Sequence, residues 1–379
     1  MRSESILEVL FSRLDNNLSK IKKLAPKAKI LPMIKANAYG HGILPVAQFM
    51  FHEYKLTEFG VASRGEALKV FNQDPLFKGQ IFVFSDTDIL HPELSLDYLH
   101  YPMVPVLHQL SHVQRVISDK NFEFLPLVIK LNTGMNRLGI EKSEWPALVA
   151  LLKKYHRKEI FHLMTHFAVS FHVLKENDKT HRQFQEFKIA QKYFEDEGVS
   201  ILNTSVSNSG AIEQKFGIDE TYIRPGLMLY GPGSVDVKKN HPWTGECISN
   251  LKTTILKKFQ AKRGTPIGYG VNVLPEDATI LVLPIGYGDG IFTFWSGVEF
   301  ILKNHRAKVF GRVNMDMMFI QLPIEAFSDF KEGEVIELWG NDWSQLVELS
   351  SQMKTIPYQL FCALSDRLSR VYRIKSSNG

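Results

Sequence analysis

The chain is poor in cysteine: Cys247 and Cys362 are the only two in 379 residues. That count excludes a disulfide framework and a cysteine-built zinc knuckle, and it suits a reducing compartment. No apolar run approaches the roughly 20 residues that cross a bilayer. Glu8 and Arg13 interrupt the N-terminal segment, so a secretory h-region is not expected and a cytoplasmic location is. Charge of one sign is also scarce in excess: 45 basic against 40 acidic residues leave a net +5 with no long basic run. Nucleic acid is therefore not the expected partner, whereas a small anionic ligand is compatible. Internal repeats and low-complexity segments are missing, as is a G-x-G-x-x-G fingerprint after the first buried run, which ranks an open dinucleotide-binding sheet lower.

What is present is organised around Lys35-Ala36-Asn37-Ala38-Tyr39-Gly40-His41-Gly42. An apolar run, Ile30 to Ile34, precedes it, and helical spacing at Ile43, Val46, Ala47 and Met50 follows. The pattern predicts a strand ending in a lysine, a glycine-punctuated turn and a helix. Such a lysine is either a snorkelling surface group or an amine held ready for Schiff-base chemistry. Strands are expected near 30–35, 58–62, 81–84, 102–106, 125–131, 159–165, 202–206 and 221–224, with helical stretches between them. Eight alternations predict an α/β fold, a parallel (β/α)8 barrel of the TIM type. Residues 6–24 read as a helix, with Ile6–Leu10 as an alternative short strand. Beyond Gly231-Pro232-Gly233 short runs separated by glycine turns predict a mostly-β domain, with strands near 251–257, 279–284, 299–303, 307–310, 317–321 and 335–338. Helices follow near 343–354 and 359–369. The expected division is 1–240 for the barrel and 241–379 for the β domain.

A barrel reacts at the carboxyl ends of its strands. The residues falling there are Lys35, the stretch Lys130 to Gly139 with Arg137, Thr165-His166, Ser207-Asn208-Ser209-Gly210, and Arg224-Pro225-Gly226-Leu227. Amines, guanidinia, an imidazole and small residues with free N–H groups suit a ligand with a phosphate and a heteroaromatic ring. Each has a plainer reading. Ser-Asn-Ser-Gly is an ordinary helix cap, His166 a structural histidine, Arg137 and Arg224 members of surface ion pairs, and Gly286-Tyr287-Gly288-Asp289-Gly290 a tight turn.

Taken together, these segments resemble one family. Lys35 to Gly42 resembles the pyridoxal-phosphate attachment signature of alanine racemases. In the same order, Thr133 to Gly139, Thr165-His166-Phe167-Ala168, Arg224-Pro225-Gly226, Ile285 to Gly290, Gly311 to Asp316, and Tyr358 with Cys362 to Arg370 resemble its other signatures. The resemblance spans nearly the whole chain. It implies pyridoxal 5′-phosphate as cofactor, no metal, and interconversion of L- and D-alanine to supply peptidoglycan. Lys35 would hold the cofactor and act as one base, and Tyr269 of a partner subunit as the other, in a homodimer with shared sites. A phenol ordinarily titrates near about 10, so a base role calls for nearby positive charge. Arg224 would face the pyridine nitrogen and His166 would pack by the ring and bond that arginine. Arg137 would lie near the phenolic oxygen and the substrate carboxylate. Tyr39, Ser209, Gly226, Leu227 and Tyr358 match phosphate positions, and Met315 matches a substrate contact from the partner. Lys130 matches a lysine that is carbamylated in some members.

The chain departs from the family pattern in three places. Asn132 stands where many members have aspartate. Val169-Ser170-Phe171 lacks an acidic entrance residue and Phe292-Thr293-Phe294 a basic one. The entrance is expected to be more aromatic than usual. The alternatives are a racemase of broader range, which would ordinarily be exported and disulfide-bonded, a single-barrel pyridoxal-phosphate regulatory protein, and a two-domain decarboxylase.

Overall fold

The computed structural model describes residues 5–236, 241–270 and 272–374. The expected division falls at residue 240, outside the described residues. The opening segment holds both readings: Ile6–Leu10 is a strand (β1) and Phe11–Leu24 a helix whose inner face is Phe11, Leu14, Leu18 and Ile21. Eight parallel strands follow: β2 (Lys29–Ile30), β3 (Glu58–Val61), β4 (Gln80–Val83), β5 (Met103–Leu107), β6 (Val128–Lys130), β7 (Glu159–Met164), β8 (Ser200–Ser205) and β9 (Tyr222–Ile223). They neighbour one another in the order β2-β9-β8-β7-β6-β5-β4-β3. The ring closes where Gly60 N–H donates to Pro32 O and Ile34 N–H to Gly60 O, at 2.9 and 2.8 Å.

Several strands are shorter than expected, and prolines account for the trimming. Pro32 falls inside the first expected run, Pro126 near the start of the fifth and Pro225 just past the eighth, and none carries an N–H to continue a ladder. The carboxyl-terminal halves of the strands, where the residues of the mouth are attached, are nonetheless buried: β7 ends in His162, Leu163 and Met164 and β8 in Thr204 and Ser205, all shielded from solvent.

The C-terminal part carries β10 (Ser249–Thr254), β11 (Lys257–Ala261), β12 (Ala278–Leu283), β13 (Glu299–Leu302), β14 (His305–Phe310), β15 (Met318–Pro323), β16 (Val335–Trp339) and β17 (Ser369–Arg373). The run expected as one strand at 251–257 is two. β10 and β11 lie in different sheets, β16-β10-β1-β17 and β11-β12-β15-β14-β13. The helix expected at 359–369 covers only Pro357–Cys362, and β17 follows it. β17 exists because β1 offers it a parallel partner, from Ile6 against Ser369 to Leu10 against Arg373. Strand β1 thereby belongs to the C-terminal sheet, although residues 1–240 were expected to be barrel. Among the described residues no helix is long and apolar enough to cross a membrane.

Candidate active site

Lys35 does not end a strand as expected; it opens a turn of the opposite hand. Ala36, Asn37, Ala38 and Tyr39 all have φ between 51° and 56°, and Gly40 follows at 82°. A left-handed turn of non-glycine residues is strained by about 1–2 kcal/mol per residue. It persists because its polar groups are held from several sides. The Glu66 carboxylate accepts from Ala36 N and from Ala62 N, each at 2.7 Å. Asn37 Oδ1 accepts from Ile43 N at 2.9 Å. Arg370, from the last matched segment, donates through Nε to Gly40 O at 2.7 Å. The Tyr39 ring stacks on Tyr230, centroids 4.6 Å apart.

The turn delivers Lys35 into a cavity of about 300 Å³ at the carboxyl end of the barrel. Tyr39, Lys130, Arg137, His166, Ser209, Arg224, Gly226, Leu227 and Tyr358 line the same cavity. Sequence positions that span more than 300 residues are thus brought to one mouth. Ser209 Oγ accepts from Gly226 N at 2.9 Å, tying the loop after β8 to the loop after β9 and leaving the hydroxyl proton free. A Cβ at Gly226 would lie 2.5 Å from the Tyr39 hydroxyl, so only glycine lets these groups converge. Asn208 caps the helix Ser209–Glu213, as the plainer reading of Ser-Asn-Ser-Gly had it, while Ser209 itself faces the cavity.

The charge distribution is one-sided. Lys35, Lys130, Arg137 and Arg224 line the cavity, and among the described residues no carboxylate lines it. Burial, then Arg137, pulls the Lys35 ammonium below the usual lysine range, with Glu66 and Cys362 opposing. Burial also brings Lys130 down to about 8, reinforced by Arg137, Arg224 and Lys35. Burial alone lowers the Arg224 guanidinium to about 9. It likewise drives His166 well below its ordinary value, with the same four cations adding to the effect, so the imidazole is neutral at pH 7. Uncompensated buried cations are costly. The residues present therefore fit a ligand bearing several negative charges, with hydroxyls and N–H groups at one end and Arg224 at the other.

One expectation fails in detail. Arg224 does not hydrogen-bond His166 among the described residues; it donates to Ser205 Oγ and to the carbonyls of Thr165 and Val206. Arg224 and Arg137 were also not surface ion pairs: neither has a carboxylate partner among the described residues. Tyr269 and Met315 do not reach the Lys35 cavity. Both are exposed, and they line a separate concavity of about 560 Å³ with Arg312, Asn314 and Asp316.

Two-part sequence matching accompanies this geometry. Residues 10–233 match the alanine racemase N-terminal domain and residues 248–372 the alanine racemase C-terminal domain. The chain belongs to the alanine racemase family. It is 31% identical over 380 residues to alanine racemase of Haemophilus ducreyi, covering 95% of this chain and 97% of that one. With that of Aeromonas hydrophila it shares 30% over 375 residues, covering 97% and 99%. Alanine racemase of Clostridium difficile 630 superposes with a TM-score of 0.87 at 26% identity, covering 98% and 96%. The Bacillus anthracis enzyme with bound L-Ala-P gives 0.83 at 25%, with the same coverage.

Within the family frame, the departures acquire positions. Asn132 Oδ1 accepts from Gly134 N and Asn136 N, each at 3.0 Å, so it caps the loop that carries Arg137. Phe171 lines the cavity mouth, and Phe292 stacks on Phe294 at 4.7 Å. The Gly286 to Gly290 stretch is the tight turn expected, a single 3₁₀ turn over Tyr287–Asp289. Sequence reasoning missed Glu66, although Ser63-Arg64-Gly65-Glu66 is a visible capping-box pattern. Its carboxylate takes the N–H of Ala62 in place of that of Ser63 and reaches the lysine turn at Ala36. Glu213 was also missed. Buried and pushed up to about 7, it accepts from the N–H groups of Ser234 and Val235, placing Ser234 at the cavity wall beside Tyr358.

Proposed function

We propose that the chain is an alanine racemase that uses pyridoxal 5′-phosphate and two bases, Lys35 and Tyr269 of a partner subunit. The observation that carries this reading is the cavity itself: three further cations and, among the described residues, no carboxylate around the Lys35 amine, at the mouth of a family-matched barrel. When bound, the cofactor would supply an electron sink that makes the α-proton of an amino acid removable. Tyr39, Ser209, Gly226, Leu227 and Tyr358 would hold its phosphate, and Arg224 would donate to its ring nitrogen. A guanidinium keeps its proton better than a carboxylic acid would, which favours quick return of the substrate proton over side reactions. Lys35 would hold the cofactor and then accept or return the α-proton on one face. Its lowered basicity leaves more free amine at neutral pH than an exposed lysine has. Arg137 would orient the substrate carboxylate, with Met315 of a second copy assisting.

The Tyr269 concavity lies apart from Lys35, and a homodimer in which one copy's Tyr269 enters the other's cavity satisfies the need for a base on the opposite face. Lys130 as a carbamate would give Arg137 a negative partner and relieve the excess of positive charge. A role in supplying D-alanine for peptidoglycan follows from the activity.

The test is incubation of the purified protein with pyridoxal phosphate and a panel of L-amino acids in deuterated water, reading chirality and α-deuteration. Alanine should become racemic and deuterated, and other amino acids far less so. In Lys35→Ala, borohydride reduction should fix no cofactor to the chain. Racemisation of many amino acids at similar rates would favour the broader-range reading, and no deuteration at all would end both.

A further inference from the structure

Arg224 is a donor with no acceptor capacity. Its buried guanidinium gives one N–H to Ser205 Oγ and others to two carbonyls, the one at Val206 lying 3.2 Å away. The Ser205 hydroxyl sits wholly inside the barrel and still has a proton to place. Among the described residues the other polar side chain within hydrogen-bond reach of that oxygen is His162, its Nε2 at 2.7 Å. His162 is fully buried on β7, stacked on Tyr222 at 5.0 Å and edge-on to Phe82 at 6.4 Å. Its Nδ1 makes no hydrogen bond among the described residues. An apolar aromatic would fill the space with no unpaired ring nitrogen, but it would leave the Ser205 proton without an acceptor. A histidine at this place therefore calls for a reason beyond packing.

We propose that His162 is a positioning residue for Arg224: as a neutral acceptor at Nε2 it takes the Ser205 proton and so turns the serine oxygen toward the guanidinium. The chain of donors runs Arg224 to Ser205 to His162, all pointing one way. The alternative assignment, Nε2–H donating to Ser205, leaves two groups unpaired among the described residues, the serine proton and the Nδ1 lone pair, where the proposed tautomer leaves one, the Nδ1–H. Burial and the neighbouring Arg224 charge hold the ring neutral, its pKa drawn down to about 3, so the acceptor state persists through the neutral range. His166, which the sequence suggested as the arginine's companion, leaves this task to the layer beneath. The link from Arg224 to the cofactor's ring nitrogen rests on the function proposed above.

The first measurement uses the cofactor-free protein. ¹⁵N-histidine NMR should give His162 as the neutral Nδ1–H tautomer, with Nε2 unprotonated from pH 6 to 8, roughly the range flanking an ordinary imidazole pKa. Ser205→Ala should shift the Nε2 resonance. An Nε2–H tautomer, an imidazolium, or no response to Ser205→Ala would overturn the proposal. The second uses the protein loaded with pyridoxal phosphate. His162→Leu should lower kcat about tenfold with little change in KM for alanine and move the absorption band of the bound cofactor. His162→Gln, whose amide oxygen is again an acceptor, should restore most of both. Equal losses in the leucine and glutamine variants would also count against it. Failure of the wild type to bind pyridoxal phosphate would strike the functional reading, not the tautomer.

Discussion

At the scale of single residues, the cavity is an arrangement of positive groups kept apart from any acid. Lys130 shows the cost most directly. An unfolded lysine titrates near about 10.4, whereas the folded Lys130 is drawn down to about 8. Between those values the unfolded chain binds the extra proton, so stability rises with pH. Below about 8 both states are protonated and the penalty is fully present. For cofactor-free protein in carbon-dioxide-free buffer, urea unfolding should gain about 2–3 kcal/mol between pH 8 and 10 from this residue. Lys130→Met, which keeps the volume and drops the charge, should be more stable than the parent at pH 7.5 and flatten that slope. A parent slope unchanged by the substitution would show that the charge is already neutralised in the folded protein.

At the scale of an element, the left-handed turn after Lys35 gives Glu66 its importance. Four non-glycine residues in succession adopt a conformation that L-residues avoid. Two backbone N–H groups, one inside the turn and one on the strand-to-helix corner after β3, share the Glu66 carboxylate. A glutamine in its place has one accepting oxygen and an NH₂ that would oppose an N–H. Glu66→Gln should therefore destabilise the fold by about 2 kcal/mol, the order of a lost charge-assisted hydrogen bond. It should also slow borohydride-trapped capture of pyridoxal phosphate by Lys35. Thermal unfolding and a stopped borohydride time course read the two effects separately; loss of neither would mean that the turn is held by Asn37 and Arg370 alone.

At the scale of the whole molecule, the two ends of the chain meet. β1 lies between β10 and β17, so the first strand is built into the sheet of the C-terminal part. That sheet fixes Arg370, which fixes Gly40 and thus the lysine turn. Tyr269 stays exposed on the other sheet's loops, away from the cavity of its own chain. Mixing inactive Lys35→Ala and Tyr269→Phe proteins under conditions of subunit exchange should recover about a quarter of wild-type activity. In an isologous dimer half of the random pairs are mixed, and each mixed pair holds one intact site of two. Demonstrated exchange with no recovery would mean that each chain supplies both bases itself.

The alternation of eight short apolar runs with helical stretches was enough to read the barrel from the sequence. The order of residues at the strand ends then named Lys35, Arg137, His166, Ser209 and Arg224 as neighbours, because barrel strands all end on one face. Local patterning also marked the glycine-punctuated β region. It did not reveal that β10 and β11 part into two sheets, that β17 is a strand, or that β1 leaves the barrel for it. Strand pairing across hundreds of residues has no local signature. The hand of the lysine turn, the clamp by Glu66 and the Ser205–His162 support of Arg224 were likewise decided only in three dimensions. Each is a hydrogen bond between distant segments, and a donor's choice of acceptor depends on which oxygen the completed fold places within 3 Å of it.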